Sequence, residues 1–96
     1  MTMFGKAKYE YLSNIISLKS PASARQSVKL LVREFNQAQT KTKRVRIARA
    51  AQLASNRAYA TKKRKNLSSN ERRQFAEIGE IYNKTADKMF KRIKRS

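Results

Sequence analysis

The 96-residue sequence contains no cysteine and no histidine. Without cysteine the chain has no disulfide and no thiol nucleophile, and without histidine it lacks the usual general base at neutral pH. Together the two absences exclude the ordinary zinc sites. Only six residues are acidic, and two of them, Glu80 with Lys84 and Glu34 beside Arg33, fit ordinary surface ion pairs. We therefore predict a protein that is not an enzyme and that holds no metal and no cofactor.

Long apolar runs and turn-forming residues are also scarce. Two glycines and one proline leave little of the turn chemistry that an all-β fold requires. No apolar run approaches the roughly 18 residues of a membrane span, which predicts no transmembrane segment. The N-terminal residues include charged and polar side chains where a secretory signal needs an apolar block. We expect an intracellular protein associated with a nucleoid or nucleoprotein. The cytoplasm of a prokaryote or a virion interior is favoured, and the nucleus is the alternative.

What the chain has in excess is positive charge. Lys and Arg number 24 against six Asp and Glu, a formal net charge of +18. Hydrophobic residues still make up 40% of the chain, and many recur at helical spacing. We predict an all-α fold, a single small domain over residues 1–96 built as a bundle of three to four helices with a long basic central helix. Amphipathic helices in so short a chain leave apolar surface, so a homo-oligomer is a further expectation.

Two of the predicted helices have clear start signals. Ser20 is suited to an N-cap and Pro21 to the first helical position, where its missing N–H costs nothing. Ser68 and Glu71 fit a capping box at the start of the last helix. The final residues of that helix are expected to fray. The predicted helices cover residues 4–16, 21–37, 41–64 and 69–94.

The central stretch, residues 41–66, carries ten basic residues and no acidic one, a net charge of +10 out of +18. On a helical wheel one narrow face is mostly methyl groups, which suits close packing against a neighbouring helix. The opposite face collects arginines around an apolar residue, Leu53. The methyl face, here the alanine seam, comprises Ile47, Ala51, Ala54 and Ala58. The opposite face comprises Arg46, Arg49, Arg57 and Arg64.

Basic side chains that neutralise phosphates release counterions, and this term dominates sequence-independent binding to nucleic acid. We therefore predict an architectural protein that coats or compacts duplex DNA through its phosphates, with little base readout. The Lys62–Lys65 run and a basic cluster at the end of the last helix extend the predicted surface. The predicted nucleic-acid-binding residues are Lys43, Arg44, Arg46, Arg49, Asn56, Arg57, Lys62, Lys63, Arg64, Lys65, Lys88, Lys91, Arg92, Lys94 and Arg95.

Alternative functions stay open at the level of sequence. The polymer could be RNA, with the protein a structural component of the ribosomal type, because phosphate binding does not separate the two polymers. A sequence-specific regulator would lay the central helix in the major groove. Binding to anionic membrane ranks last, because the alanine seam offers few bulky apolar residues. The C-terminal basic cluster is equally well explained by compensation of the helix dipole.

Two single residues also raise questions. Gly79 lies inside the last predicted helix, where glycine costs about 1 kcal/mol relative to alanine. Such a cost indicates a packing reason, and we place Gly79 against the alanine seam as a hypothesis. Tyr59 lies on the most basic helix and is the aromatic residue that we would test for stacking on bases.

Overall fold

A computed structural model describes residues 15–95, without the side chain of Arg95. The predicted helix over residues 4–16 lies outside the described residues, except for Ile15 and Ile16. The described part of the chain folds into helices with no strand, which confirms the all-α prediction. The three helices are α1 (Pro21–Gln37), α2 (Lys41–Lys62) and α3 (Ser69–Arg95).

Helix α1 begins where the sequence predicted. The backbone of Ser20 is extended, and its hydroxyl accepts a hydrogen bond from the Ser23 N–H at 3.1 Å. Pro21 follows as the first helical residue. The cap satisfies one of the four N–H groups that have no partner inside the helix. The buried face of α1 then carries Leu31 and Phe35 into the core.

Helix α2 begins at a cap that was not predicted, Thr40, and ends earlier than predicted. The Thr40 hydroxyl accepts a hydrogen bond from the Lys43 N–H at 3.2 Å. The helix stops at Lys62, two residues before the approximate end predicted at residue 64. The N–H groups of Lys63 and Arg64 donate to the carbonyls three residues back, those of Ala60 and Thr61. Bonds of this spacing form a tighter turn than an α-helix, so the α-helix ends here.

Helix α3 begins with the predicted capping box. The Ser68 N–H donates to Glu71 Oε1 at 3.0 Å, and the Glu71 N–H donates to Ser68 Oγ at 3.2 Å. The hydrogen bond from the Ser68 backbone, and to a lesser extent that from its side chain, lowers the pKa of Glu71 below its ordinary value of 4.5. The negative charge of Glu71 in the first turn also interacts favourably with the positive end of the helix dipole.

The core lies mainly between α2 and α3. The predicted alanine seam is fully buried, together with Ser55 and Ala48 beside it. Small side chains let the two helix backbones approach closely, and the Ser55 hydroxyl donates to the Gly79 carbonyl at 2.9 Å. Helix α3 contributes five residues to the core. They are Ile78, Tyr82, Ala86, Met89 and Ile93.

The residues before α1 are fixed to the core by Tyr82. Its buried hydroxyl donates to the Ser17 carbonyl at 2.8 Å and accepts from the Ser17 N–H at 3.1 Å. The Ser17 N–H also lies 3.1 Å from the Ser27 hydroxyl of α1. These bonds satisfy a buried tyrosine and hold both neighbours of Ser17, Ile16 and Leu18, beside α2.

Candidate nucleic-acid interface

Three arginines line the exposed side of α2. Arg46, Arg49 and Arg57 are all exposed, while the alanine seam on the other side of the helix is buried. At 1.5 Å of rise per residue, the eleven residues from Arg46 to Arg57 span about 16 Å. We call these three residues the arginine row. Because α2 is fixed along its buried face, the row has a rigid support.

The arginine row has no counter-charge among the residues that the structure describes. The ion pairs found there join Arg25 to Glu77, Lys84 to Glu80 and Lys91 to Asp87. Of the two pairs that the sequence predicted, Glu80 with Lys84 is present, and Glu34 with Arg33 is not among the pairs of the described residues. None of the three pairs involves α2, which has no acidic residue. A cationic surface of this kind attracts anions over the distance that salt screening allows.

An open groove of about 980 Å³ runs beside the arginine row. Its wall on one side is α2, and on the other it includes Ile16 and Leu18. Leu53 lies in this groove among the arginines and is 52% exposed. The sequence placed Leu53 between the arginines, but not the second wall of the groove, because that wall depends on the tertiary bonds of Ser17.

The basic run after α2 does not continue the arginine row. Lys62 is the last helical residue, and Lys63, Arg64 and Lys65 lie exposed in the turn that follows. The prediction that Arg64 shares one helical face with the arginine row is therefore wrong, because the helix ends before it. The Arg64 carbonyl accepts a hydrogen bond from Arg72 Nη2 at 3.3 Å.

Two other predicted residues of α2 are exposed near the arginine row. Lys43 lies in the first turn of the helix, where its backbone N–H bonds to the Thr40 cap. Asn56 lies one residue before Arg57, and its Oδ1 accepts a hydrogen bond from Gln52 Nε2 at 3.3 Å. The Lys43 side chain adds a positive charge near the start of α2, and Oδ1 of Asn56 is occupied by Gln52 of the same helix.

Two of the predicted binding residues, Arg44 and Arg92, pack on an aromatic ring. The guanidinium carbons of Arg44 and Arg92 lie 5.8 Å and 5.1 Å from the centre of the Phe35 ring. Arg44 Nε also donates to the Ala38 carbonyl at 3.2 Å, and Arg92 Nη1 donates to Asn36 Oδ1 at 2.7 Å. Such contacts are of the cation–π type. They give both arginines a role in joining the three helices.

The C-terminal basic cluster is divided between internal partners and open surface. Lys91 pairs with Asp87 at 3.1 Å, and Arg92 packs on Phe35. Lys88 and Lys94 are exposed. The side chain of Arg95 lies outside the described residues. The cluster thus differs from the arginine row: some of its cations have partners within the protein, whereas each guanidinium of the row is exposed and has no carboxylate partner among the described residues.

Comparison with protein-family models, with curated proteins and with solved structures found no match. Within residues 15–95 no helix is long and apolar enough to cross a bilayer. The same residues contain no group of three or more acidic side chains placed to hold a metal ion.

Proposed function

We propose that the protein binds nucleic acid through its phosphates, with duplex DNA as the favoured polymer, and coats or compacts it with little base readout. The observation that carries this proposal is the arginine row, whose three guanidinium groups are exposed and have no carboxylate partner in the described part of the chain. Guanidinium matches phosphate in geometry and stays charged at any physiological pH.

The energetic argument is counterion release. Duplex DNA carries one negative charge per roughly 1.7 Å of axis and holds condensed cations, which leave when a protein neutralises the phosphates. The arginine row spans about 16 Å on a rigid helix, so its three charges reach phosphates without the cost of ordering a loop. Exposed Lys43, Lys62 and Lys63 on or next to the same helix extend the contact.

A triple variant, Arg46→Ala, Arg49→Ala and Arg57→Ala, tests the arginine row. Each lost phosphate contact lowers the steepness of the log affinity against log salt plot by about 1, so the triple variant should lose about 3. Fluorescence anisotropy with a labelled random duplex at several salt concentrations measures the affinity and its dependence on salt. The fold should persist, because all three side chains are exposed.

The control removes the same charge from a different stripe. Arg25, Lys29 and Arg33 are exposed and lie four residues apart on α1. Replacing these three by alanine also lowers the net charge by three, so a general charge effect would weaken binding equally in both variants. The proposal requires the α1 variant to keep a slope within about 1 of the unmodified protein. Equal losses in the two triple variants would contradict it.

The choice of polymer is tested by competition. Unlabelled duplex DNA, duplex RNA and structured RNA, matched in length and in salt, compete for the protein bound to labelled duplex DNA. We expect duplex DNA to compete at the lowest concentration, and a random duplex to compete as well as any chosen sequence. A preference for RNA would keep the phosphate mechanism and reject the polymer.

A further inference from the structure

Leu53 occupies a position in the arginine row that phosphate binding alone does not explain. It lies four residues after Arg49 and four before Arg57, so the three side chains share one face of α2. A leucine that is 52% exposed among guanidinium groups contributes nothing to counterion release. An apolar group in the middle of a phosphate-binding surface suits contact with the bases.

The arginines on either side of Leu53 lie farther apart along α2 than the minor groove of a duplex is wide. The eight residues from Arg49 to Arg57 span about 12 Å along the helix. The minor groove is about 6 Å wide between the two backbones. A helix that crosses the groove therefore brings one long arginine to the backbone on each side. Leu53, at the midpoint, then faces the base pairs.

The surroundings of Leu53 allow a close approach of the duplex. Ala50, three residues before Leu53, is half-buried, has a small side chain and lines the same open groove. No residue among those described covers the outer half of the Leu53 side chain. Leucine is also one of the apolar residues that architectural proteins insert between base steps from the minor groove.

We propose that Leu53 inserts between base pairs from the minor groove of duplex DNA and bends the duplex. This inference rests on the proposed function, because the arginine row must first bind the two backbones. Insertion partly unstacks one base step, and the bend brings further phosphates to the basic surface, which offsets the cost of unstacking. Wedges of this kind bend DNA by about 20–90° toward the major groove.

The test measures bending and binding in the same sample. A duplex of about 30 base pairs with a donor and an acceptor dye at its ends reports its end-to-end distance by energy transfer, since a duplex this short is otherwise nearly straight. Binding of the unmodified protein should raise the transfer efficiency. Leu53→Ala should abolish at least half of that rise while its affinity falls by no more than about tenfold, because the arginine row remains.

Two further variants make the test specific. Leu53→Phe keeps a bulky apolar wedge and should retain the bend. Leu30→Ala removes a leucine of similar exposure, 44%, from α1 and should behave like the unmodified protein. The melting temperature of Leu53→Ala should stay within a few degrees of that of Leu30→Ala, because both side chains are half exposed. A much larger loss for Leu53→Ala would show that Leu53 packs inside the protein and would overturn the proposal.

The outcomes separate the two proposals. If the unmodified protein binds the duplex without raising the transfer efficiency, or if Leu53→Ala bends it equally, the wedge is rejected and phosphate binding stands. If the unmodified protein binds neither this duplex nor RNA at low salt, both proposals are rejected.

Discussion

At the scale of single residues, Gly79 shows why α3 accepts a residue that weakens helices. A Cβ added there would lie 2.8 Å from Cε1 of the Tyr59 ring, closer than real Cβ atoms approach other atoms. The hypothesis that Gly79 packs against the alanine seam is therefore corrected. Gly79 does face α2, but the side chain that a Cβ would meet is the Tyr59 ring and not an alanine of the seam. The helix stability lost by having glycine in place of alanine is offset by the packing of this ring.

The contact predicts opposite effects of Gly79→Ala in two backgrounds. In the unmodified protein the substitution should lower the melting temperature, because the Tyr59 ring must leave its place. In a Tyr59→Ala background it should stabilise the protein by about 1 kcal/mol, the ordinary gain of alanine over glycine in a helix. Denaturant unfolding of the four proteins in this double-mutant cycle gives the coupling. The same effect of Gly79→Ala in both backgrounds would contradict the packing account.

The same ring bears on the role of Tyr59 in binding. Its side chain is 36% exposed, and the face on Gly79 is committed to the interior. Stacking of a base on Tyr59 remains a prediction for its outer face only.

Arg44 and Arg92 likewise have one side engaged inside the protein, since both pack on Phe35. Sequence could not show this contact, because Phe35 and Arg92 lie 57 residues apart and meet only in the folded chain.

At the scale of helices, local signals decided which boundaries could be predicted. The starts of α1 and α3 follow from Ser20 with Pro21 and from the capping box, whose chemistry is local. Thr40 before α2 carries the same kind of signal and could have been recognised. The end of α2 could not, because neither glycine nor proline marks it and the basic run reads as well inside a helix as after one.

The capping box predicts a pH-dependent contribution to stability. Because the pKa of Glu71 in the folded protein is below its ordinary value of 4.5, its carboxylate stabilises the fold above that pH. The contribution falls as the pH drops through the lowered pKa and is absent below it. Glu71→Ala should therefore melt at a lower temperature than the unmodified protein at pH 7, and the difference should shrink in acid.

Glu71→Gln is the matched control for this measurement. Glutamine keeps an oxygen that can accept the Ser68 N–H but has no charge to titrate. Its melting temperature relative to Glu71→Ala should change little with pH. A difference between Glu71→Ala and the unmodified protein that stays constant from pH 7 to acid would show that the charge of Glu71 does not contribute.

At the scale of the whole molecule, charge is the dominant property. The net charge of +18 disfavours a compact state through self-repulsion, yet α2 and α3 bury a continuous apolar core. The alanine seam reconciles the high net charge with a compact fold. It gives the most basic helix one apolar face to bury, while the cationic side chains stay exposed. The helical spacing of residues 41–64 was enough to predict the alanine seam and, apart from Arg64, the arginines opposite it. The groove beside Leu53 was not predictable, because it depends on the bonds of Tyr82 to Ser17.

If affinity for duplex DNA comes from phosphate contacts, the salt dependence of binding by the unmodified protein reports how many phosphates it neutralises. A protein that neutralises about 6–8 phosphates should show a slope of log affinity against log salt of about −5 to −7, with random and chosen duplexes alike. Fluorescence anisotropy across a salt series gives this slope. A slope shallower than about −2 would contradict the phosphate mechanism.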